Sequence, residues 1–187
     1  MVAGLTYNFK VESLNAFGYS VLSQPVSILC ATIPSQPTAP VTSVSTSFVT
    51  ITWATPVTNG LPITSYSIYI RKGDQLTYIT NNAVCDGTSA LVISQTYCVL
   101  PLSTLTSTPY SLLKGYSINA YIVATNAYGS STPSSLGNGG VIVLVTNSPI
   151  LLVNDPTVTS RSVIKFTWTA PISNGGSSIL DYTITYD

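Results

Sequence analysis

Hydrophobic and polar residues alternate with a period of two through much of the chain. Val49, Ile51 and Trp53 alternate with Thr50 and Thr52. Tyr66, Ile68 and Ile70 alternate with Ser67, Tyr69 and Arg71, and Ile118, Ala120, Ile122 and Ala124 with Asn119, Tyr121 and Val123. Such a period puts one side of each segment in a core and the other against solvent or a neighbour, which is the signature of a half-buried β-strand. Clusters of Pro, Gly, Asn and Ser interrupt the runs at residues 34–40, 59–62 and 137–140, and these are turn-forming residues. No segment carries helical spacing. Short strands between turns predict an antiparallel sandwich, with Val49, Ile51, Trp53, Tyr66, Ile68 and Ile122 in its core.

The chain also repeats itself. Asn15-Ala16-Phe17-Gly18 returns as Asn126-Ala127-Tyr128-Gly129, an offset of 126 − 15 = 111, and both copies continue with spaced serines, Ser20 and Ser23, then Ser131 and Ser134. Trp53-Ala54-Thr55-Pro56 returns as Trp168-Thr169-Ala170-Pro171, an offset of 168 − 53 = 115, with Asn59-Gly60 and Asn174-Gly175 following at the same distance. Self-similarity at a fixed period marks an array of like units. A period near 110 is too long for a solenoid repeat and matches one whole sandwich of about 100 residues. The second copy extends the expected core to Trp168 and Tyr182.

The order of these motifs resembles the fibronectin type III family. The stretch from Val49 to Trp53, then Pro56, Asn59-Gly60, Ile63 and Tyr66-Ser67-Ile68, is similar to strands B and C of that domain. Tyr7, Phe9, Val11, Ser13, Asn15, Gly18 and Ser20 resemble strand F and the turn into G. The family carries a Leu-x-Pro-Gly-Thr-x-Tyr corner before strand F. Met1, Gly4 and Tyr7 fill its Leu, Gly and Tyr places, whereas Leu112 and Ile118 fill the Leu and Tyr places of the second copy, so the corner's tyrosine hydrogen bond is not expected there. The alternation of a shorter unit with a longer, cysteine-containing one also resembles the large repeat proteins of ciliates. The resemblance implies an all-β fold of tandem immunoglobulin-like (fibronectin type III) antiparallel β-sandwiches. Residues 1–32 then hold strands F and G of one domain, 37–148 one complete and enlarged domain, and 149–187 strands A, B and C of another. The middle unit carries an insertion from Gly73 to Lys114.

Composition narrows the function. Six basic and six acidic side chains cancel, and charged residues make up 6% of the chain, against about 25% in ordinary domains. No basic face exists to neutralise phosphates, so nucleic acid is not expected as a partner, and no polybasic segment exists to hold an anionic membrane. A neutral Ser, Thr, Asn and Tyr surface sets little like-charge repulsion between molecules. It suits packing against copies of the chain or neighbouring repeats, head to tail, and equally a merely neutral extracellular module. The first residues form no signal peptide, and the longest aliphatic run, Val141–Val145, is far short of the roughly 20 residues of a membrane span. A secretion signal or anchor is expected outside this segment.

Candidate chemistry is sparse. The chain contains no His, so no Ser-His or Cys-His nucleophile pair can be assembled, and three dispersed Cys do not make a zinc site. Its acids, Glu12, Asp74, Asp86, Asp155, Asp181 and Asp187, are not spaced like a calcium loop. Gly137-Asn138-Gly139-Gly140 lacks the Lys and the following helix of a phosphate loop and is read as a flexible loop. No Asn-x-Ser/Thr sequon occurs. No enzyme activity, cofactor, metal or small-molecule substrate is expected.

Cys85 and Cys98 stand 98 − 85 = 13 positions apart inside the insertion. Because arrays of the resembled family are extracellular, the resemblance implies a disulfide between them; two free thiols in a reducing compartment is the other reading. Cys30 is left over, either as a small buried hydrophobe or as an intermolecular bridge. Lys72-Gly73-Asp74 follows a strand at a hairpin turn: a base and an acid around a Gly is a pattern some adhesion receptors read, and also ordinary turn chemistry.

The expected function is a non-enzymatic structural segment of an extracellular or cell-surface tandem β-sandwich array, acting as spacer, adhesive or filament-forming unit. Two alternatives stand beside it. One is a receptor or adhesion module binding another surface protein through its loops. The other is a carbohydrate-binding accessory module, which needs an exposed aromatic platform for which Tyr69 and Tyr121 are the candidates. Strands F and G alone, or A, B and C alone, bury too little apolar surface to offset their ordering entropy. Residues 149–187 of one unit are therefore expected to dock beside residues 1–32 of another, either as successive stretches of one longer continuous chain or as separate subunits that complete each other head to tail.

Overall fold

The alternating segments pair in the register that buries their apolar sides. In the computed structural model, which describes residues 1–187, residues 1–32 hold β1 (Thr6–Phe9), β2 (Leu14–Asn15), β3 (Gly18–Tyr19) and β4 (Val26–Leu29). The middle unit holds β5 (Val41–Val44), β6 (Phe48–Thr52), β7 (Ser65–Arg71), β8 (Tyr78–Ile79), α1 (Ala90–Gln95), β9 (Tyr97–Pro101), α2 (Leu102–Thr106), β10 (Ala120–Asn126) and β11 (Gly129–Ser130). The last segment holds β12 (Ile150–Asn154) and β13 (Phe166–Thr169).

The middle unit is a two-layer antiparallel sandwich. One sheet is β5-β6-β9 and the other β11-β10-β7-β8, the strand division A-B-E and G-F-C-C′ of a fibronectin type III domain. Their inner faces meet in one core that includes Val49, Ile51, Trp53, Tyr66, Ile68, Leu100 and Ile122. The pairing Ile68↔Ile122 and Ile70↔Ala120 sets like faces opposite each other, and a one-residue slip would turn all of them to solvent.

Two sequence expectations change here. The insertion contains α1 and α2, which at six and five residues are too short to display a 3.6-residue period; α2 buries Leu102 and Leu105. Residues 137–140 carry strand G on beyond β11 as bridged backbone, Gly137 forming an isolated bridge with Ala120, rather than as a flexible loop. Gly137 exchanges both backbone bonds with Ala120, Thr42 N–H donates to Asn138 O and Ile118 N–H to Gly140 O. A Cβ on Gly137 would lie 1.7 Å from Pro40 O. The glycines therefore let strand G press against the edge of β5.

The end segments have the strands of the middle unit without its core. β1 pairs with β4, and β12 with β13 through a bulge between Ile150 and Val153. Residues 180–187, expected as strand C, join no ladder. Trp168 and Tyr182 are half-buried rather than core, because no strand of this chain covers their outer side.

Candidate functional site: two matching junctions

The spaced serines have one role in both copies. Where strand G bends away from strand F, Ser131 Oγ accepts from Ala124 N–H and Ser134 Oγ from Ile122 N–H, while Ser131 and Ser134 N–H donate to Ala124 O and Ile122 O. One repeat earlier, Ser20 and Ser23 make the same four bonds to Ser13 and Val11. Each hydroxyl supplies a ladder bond that the bending backbone has given up. The corner before strand F differs as expected: Tyr7 Oη accepts from Val2 N–H at 2.6 Å, and Ile118 in the second copy has no hydroxyl. There the buried Thr42 Oγ1 donates to Ile118 O and accepts from Gly140 N–H.

These corners meet the Asn-Gly turns of the next unit. At the first junction Gly4 N–H donates to Cys30 O, Thr32 N–H to Asn59 O and Ser35 N–H to Val57 O. At the second, Gly115 N–H donates to Ile142 O, Leu144 N–H to Gly175 O and Asn147 N–H to Ser173 O. The two sets correspond bond for bond, and the two bonds that cross between units share offsets of 144 − 32 = 112 on the donor side and 175 − 59 = 116 on the acceptor side. Relative to 111 and 115, each differs by one residue. The first is absorbed by the glycine run in strand G and the second between Pro171 and Ser173, ahead of the Asn174-Gly175-Gly176 turn.

A glycine sits at the same close point of each junction, and at the second Gly175 comes closer still, a Cβ there lying 1.8 Å from Leu144 O. A Cβ on Gly60, which has φ +98°, would lie 2.9 Å from Gly4 N and 3.1 Å from Cys30 O. One on Gly176, with φ +92°, would lie 3.1 Å from both Gly115 N and Ile142 O. Only glycine combines that backbone conformation with such an approach. Asn126 braces the first junction, its Nδ2 donating to Thr32 O and Thr58 O while its Oδ1 accepts from Tyr128 N–H. Asn59 Nδ2 adds a bond to Ile33 O. The repetition of Asn15 as Asn126 was the available signal for the brace. That of Asn59-Gly60 as Asn174-Gly175 points to the right turn but one residue short, because Gly175 takes the place of Asn59 and Gly176 that of Gly60. The sequence offers no reason why they lie at a joint.

The other candidates fall elsewhere. Cys85 and Cys98 form a disulfide with Cα atoms 5.6 Å apart, both buried in the core. Cys98 lies on β9, while two residues beyond Cys85 the Gly87 carbonyl accepts from Tyr66 N–H on β7, so the insertion is tied to both sheets. Cys30 is a free, half-buried thiol at the first junction. In the Lys72-Gly73-Asp74 turn, Gly73 N–H donates to Tyr110 O. Asp74 accepts from Leu76 N–H and from Thr77 N–H and Oγ1–H. Those Thr77 bonds, then the Leu76 amide, hold its carboxyl at about 2. Lys72 Nζ stands 3.9 Å away. The carboxylate is thus committed to its own turn. Tyr69 and Tyr121 stack on each other at 4.7 Å, with Tyr78 at 5.2 Å from Tyr121, so their rings face one another instead of lying side by side. No helix is long and apolar enough to cross a membrane.

Strand order and matching joints define a tandem array of fibronectin type III-like antiparallel sandwiches. No family model matches the chain. It is similar to a crystal structure of titin domains, at 22% identity over 66% of this chain and 36% of that one, TM-score 0.43. The chicken CNTN1 FN1-FN3 domains align at 16% identity over 73% of this chain and 42% of theirs, TM-score 0.40. The twitchin kinase region from C. elegans aligns at 20% over 64% and 16%, TM-score 0.40. The chain spans well under two thirds of each of these structures.

Proposed function

We propose that the chain is a non-enzymatic structural segment of an extracellular or cell-surface array, whose task is to hold successive sandwiches in one fixed relation as a spacer or filament-forming unit. The observation that carries this reading is the set of three backbone bonds that recurs at the two junctions. A flexible linker has no reason to repeat the same backbone bonds and the same glycine approach; a repeated stiff joint does. The Cys85–Cys98 disulfide supports the outside location, since disulfides persist in oxidising compartments. A sequence without His, and an Asp74 whose oxygens are already bonded in its own turn, support a role without catalysis.

The joint is tested by Gly60→Ala. The new Cβ forces the 59–60 peptide to move, and Thr32 N–H loses its acceptor. Amide exchange at Thr32 should accelerate by about tenfold or more, equivalent to about 1.4 kcal/mol, while Leu144 N–H in the same sample serves as the unchanged internal reference. Unaltered exchange at Thr32, or an unprotected Thr32 amide in the parent protein, overturns the stiff-joint reading.

A further inference from the structure

We propose that Tyr69 and Tyr121 are a preassembled site of oxidative cross-linking, where a one-electron oxidant of the peroxide–peroxidase class joins β7 to β10 through a carbon–carbon bond between the two phenol rings. The site lies inside the middle unit and is independent of how successive units are joined.

Strand register builds the site. Tyr69 on β7 and Tyr121 on β10 are direct cross-strand partners. Alternation turns both away from the core that Ile68, Ile70 and Ile122 help to fill. Side chains opposite each other on one face of an antiparallel pair have Cβ atoms about 4.5–5.5 Å apart. The two rings use that spacing to stack, with centroids 4.7 Å apart and planes 12° from parallel. Tyr78, opposite Arg71 on β8, brings a third ring to 5.2 Å from Tyr121, tilted by 57°. Burial, then the neighbouring phenols of Tyr69 and Tyr78, push the Tyr121 phenol up, as crowding of three hydroxyls on one face requires.

The remaining tyrosines are placed differently. Tyr66 and Tyr182 each meet a tryptophan edge-on, and Tyr66 and Tyr110 are buried. Tyr97 and Tyr128 are exposed and stack on no other ring. Tyr69 and Tyr121 are half-buried, open to a small oxidant yet held against each other. An isolated tyrosyl radical must find its partner by diffusion; here the partner is already in place, and holding two reacting groups in contact turns a bimolecular step into a unimolecular one.

The chemistry needs only the oxidant. It takes one electron and one proton from each hydroxyl, and each phenoxyl shares its unpaired electron with the ring carbons ortho to oxygen, Cε1 and Cε2. One Cε of Tyr69 bonds to one Cε of Tyr121. Each of these carbons then releases its hydrogen as a proton while the phenolic oxygen takes one up, which restores both aromatic rings. The pair has lost two hydrogen atoms, and one hydrogen peroxide has become two waters. The bond closes a loop of 121 − 69 = 52 positions that already contains the Cys85–Cys98 disulfide. Like a disulfide across a long loop, it restricts the unfolded chain, and it locks the register of the two central strands of their sheet.

Trypsin digestion reads the product. Cleavage after Lys10, Arg71, Lys72, Lys114 and Arg161 puts Tyr69 in peptide 11–71, Tyr78 in peptide 73–114 and Tyr121 in peptide 115–161. The full chain, treated when dilute with a peroxidase and hydrogen peroxide, should give a monomer band with the blue fluorescence of dityrosine. In that band peptides 11–71 and 115–161 should be joined at their summed mass less two hydrogens. Tyr69→Phe and Tyr121→Phe keep the ring but cannot form a phenoxyl, and each should lose the joined product, whereas Tyr78→Phe should retain it. A monomer without the joined peptides, a joined product that survives in Tyr69→Phe, or peptide 73–114 linked to 115–161 in its place overturns the proposal.

Discussion

Trp53 and Trp168 occupy the same place in the same motif, yet Trp53 is 4% exposed and Trp168 only half-buried. Each is met edge-on by the tyrosine of its own strand C. The difference lies in what comes from elsewhere. Around Trp53, β9 and β10 close the second side of the core, whereas Trp168 has neither. The A–B strand pairing, the serine bonds and the Asn-x turns rest on nearby residues and recur in the partial copies. Burial is a property of seven strands together, because a two-stranded ladder is at best marginal in water.

The largest expected effect follows from that contrast. Trp53→Ala should lower the stability of the middle unit by about 3–5 kcal/mol, the cost of emptying a large core site. In the monomeric chain, Trp168→Ala should cost less than about 1 kcal/mol, in the range of surface substitutions. Denaturant unfolding of the two variants checks both values, and equal losses would break the contrast. Removal of the disulfide comes next. Replacing Cys85 and Cys98 by Ser should cost the middle unit roughly 3 kcal/mol, the chain-entropy value for a loop of about 15 residues. Alkylation of the denatured, unreduced chain should label Cys30 alone.

The smallest effect is a pH dependence. Burial pushes the Tyr110 phenol up to about 12 from its ordinary 10.0. The unfolded chain then loses this proton first, so the native state is favoured fully below pH 10 and that advantage is lost as pH rises toward 12. At the acid end the sign reverses. Asp74, held at about 2 by its Thr77 and Leu76 bonds, adds stability above its ordinary 3.8 that disappears as pH falls toward 2. Melting temperatures against pH should decline on both sides, and Tyr110→Phe should lessen the alkaline decline, to which the raised phenols of Tyr66 and Tyr121 also contribute, and leave the acid one unchanged.

The strands of the middle unit were legible because a half-buried sheet writes its period directly into the sequence, as at Val49, Ile51 and Trp53. The repeat was legible because its turns need particular residues: Asn to bond its own backbone two residues on, and Gly to enter left-handed space. What could not be read were features set by contacts between distant segments. Gly137 in isolation is a loop residue; only the proximity of Pro40 O makes it a strand residue pressed against a neighbour. Thr42 reads as one more strand threonine until Ile118 and Gly140 are seen to converge on its hydroxyl. The junctions are divided between two separate motifs, one ending near Gly18 and the other beginning near Trp53, and the one-residue shifts that bring them together lie in the glycine run at 137–140 and between Pro171 and Ser173.

The central claim is that the two junctions are one stiff joint used twice. Spin labels at Tyr19 and Thr52 span the first junction, and labels at Ser130 and Thr167 span the second at equivalent positions; all four residues are exposed. In a Cys30→Ser background, pulsed electron paramagnetic resonance should return two narrow distance distributions with the same mean. Distributions with different means, or broad ones at either junction, would contradict the account.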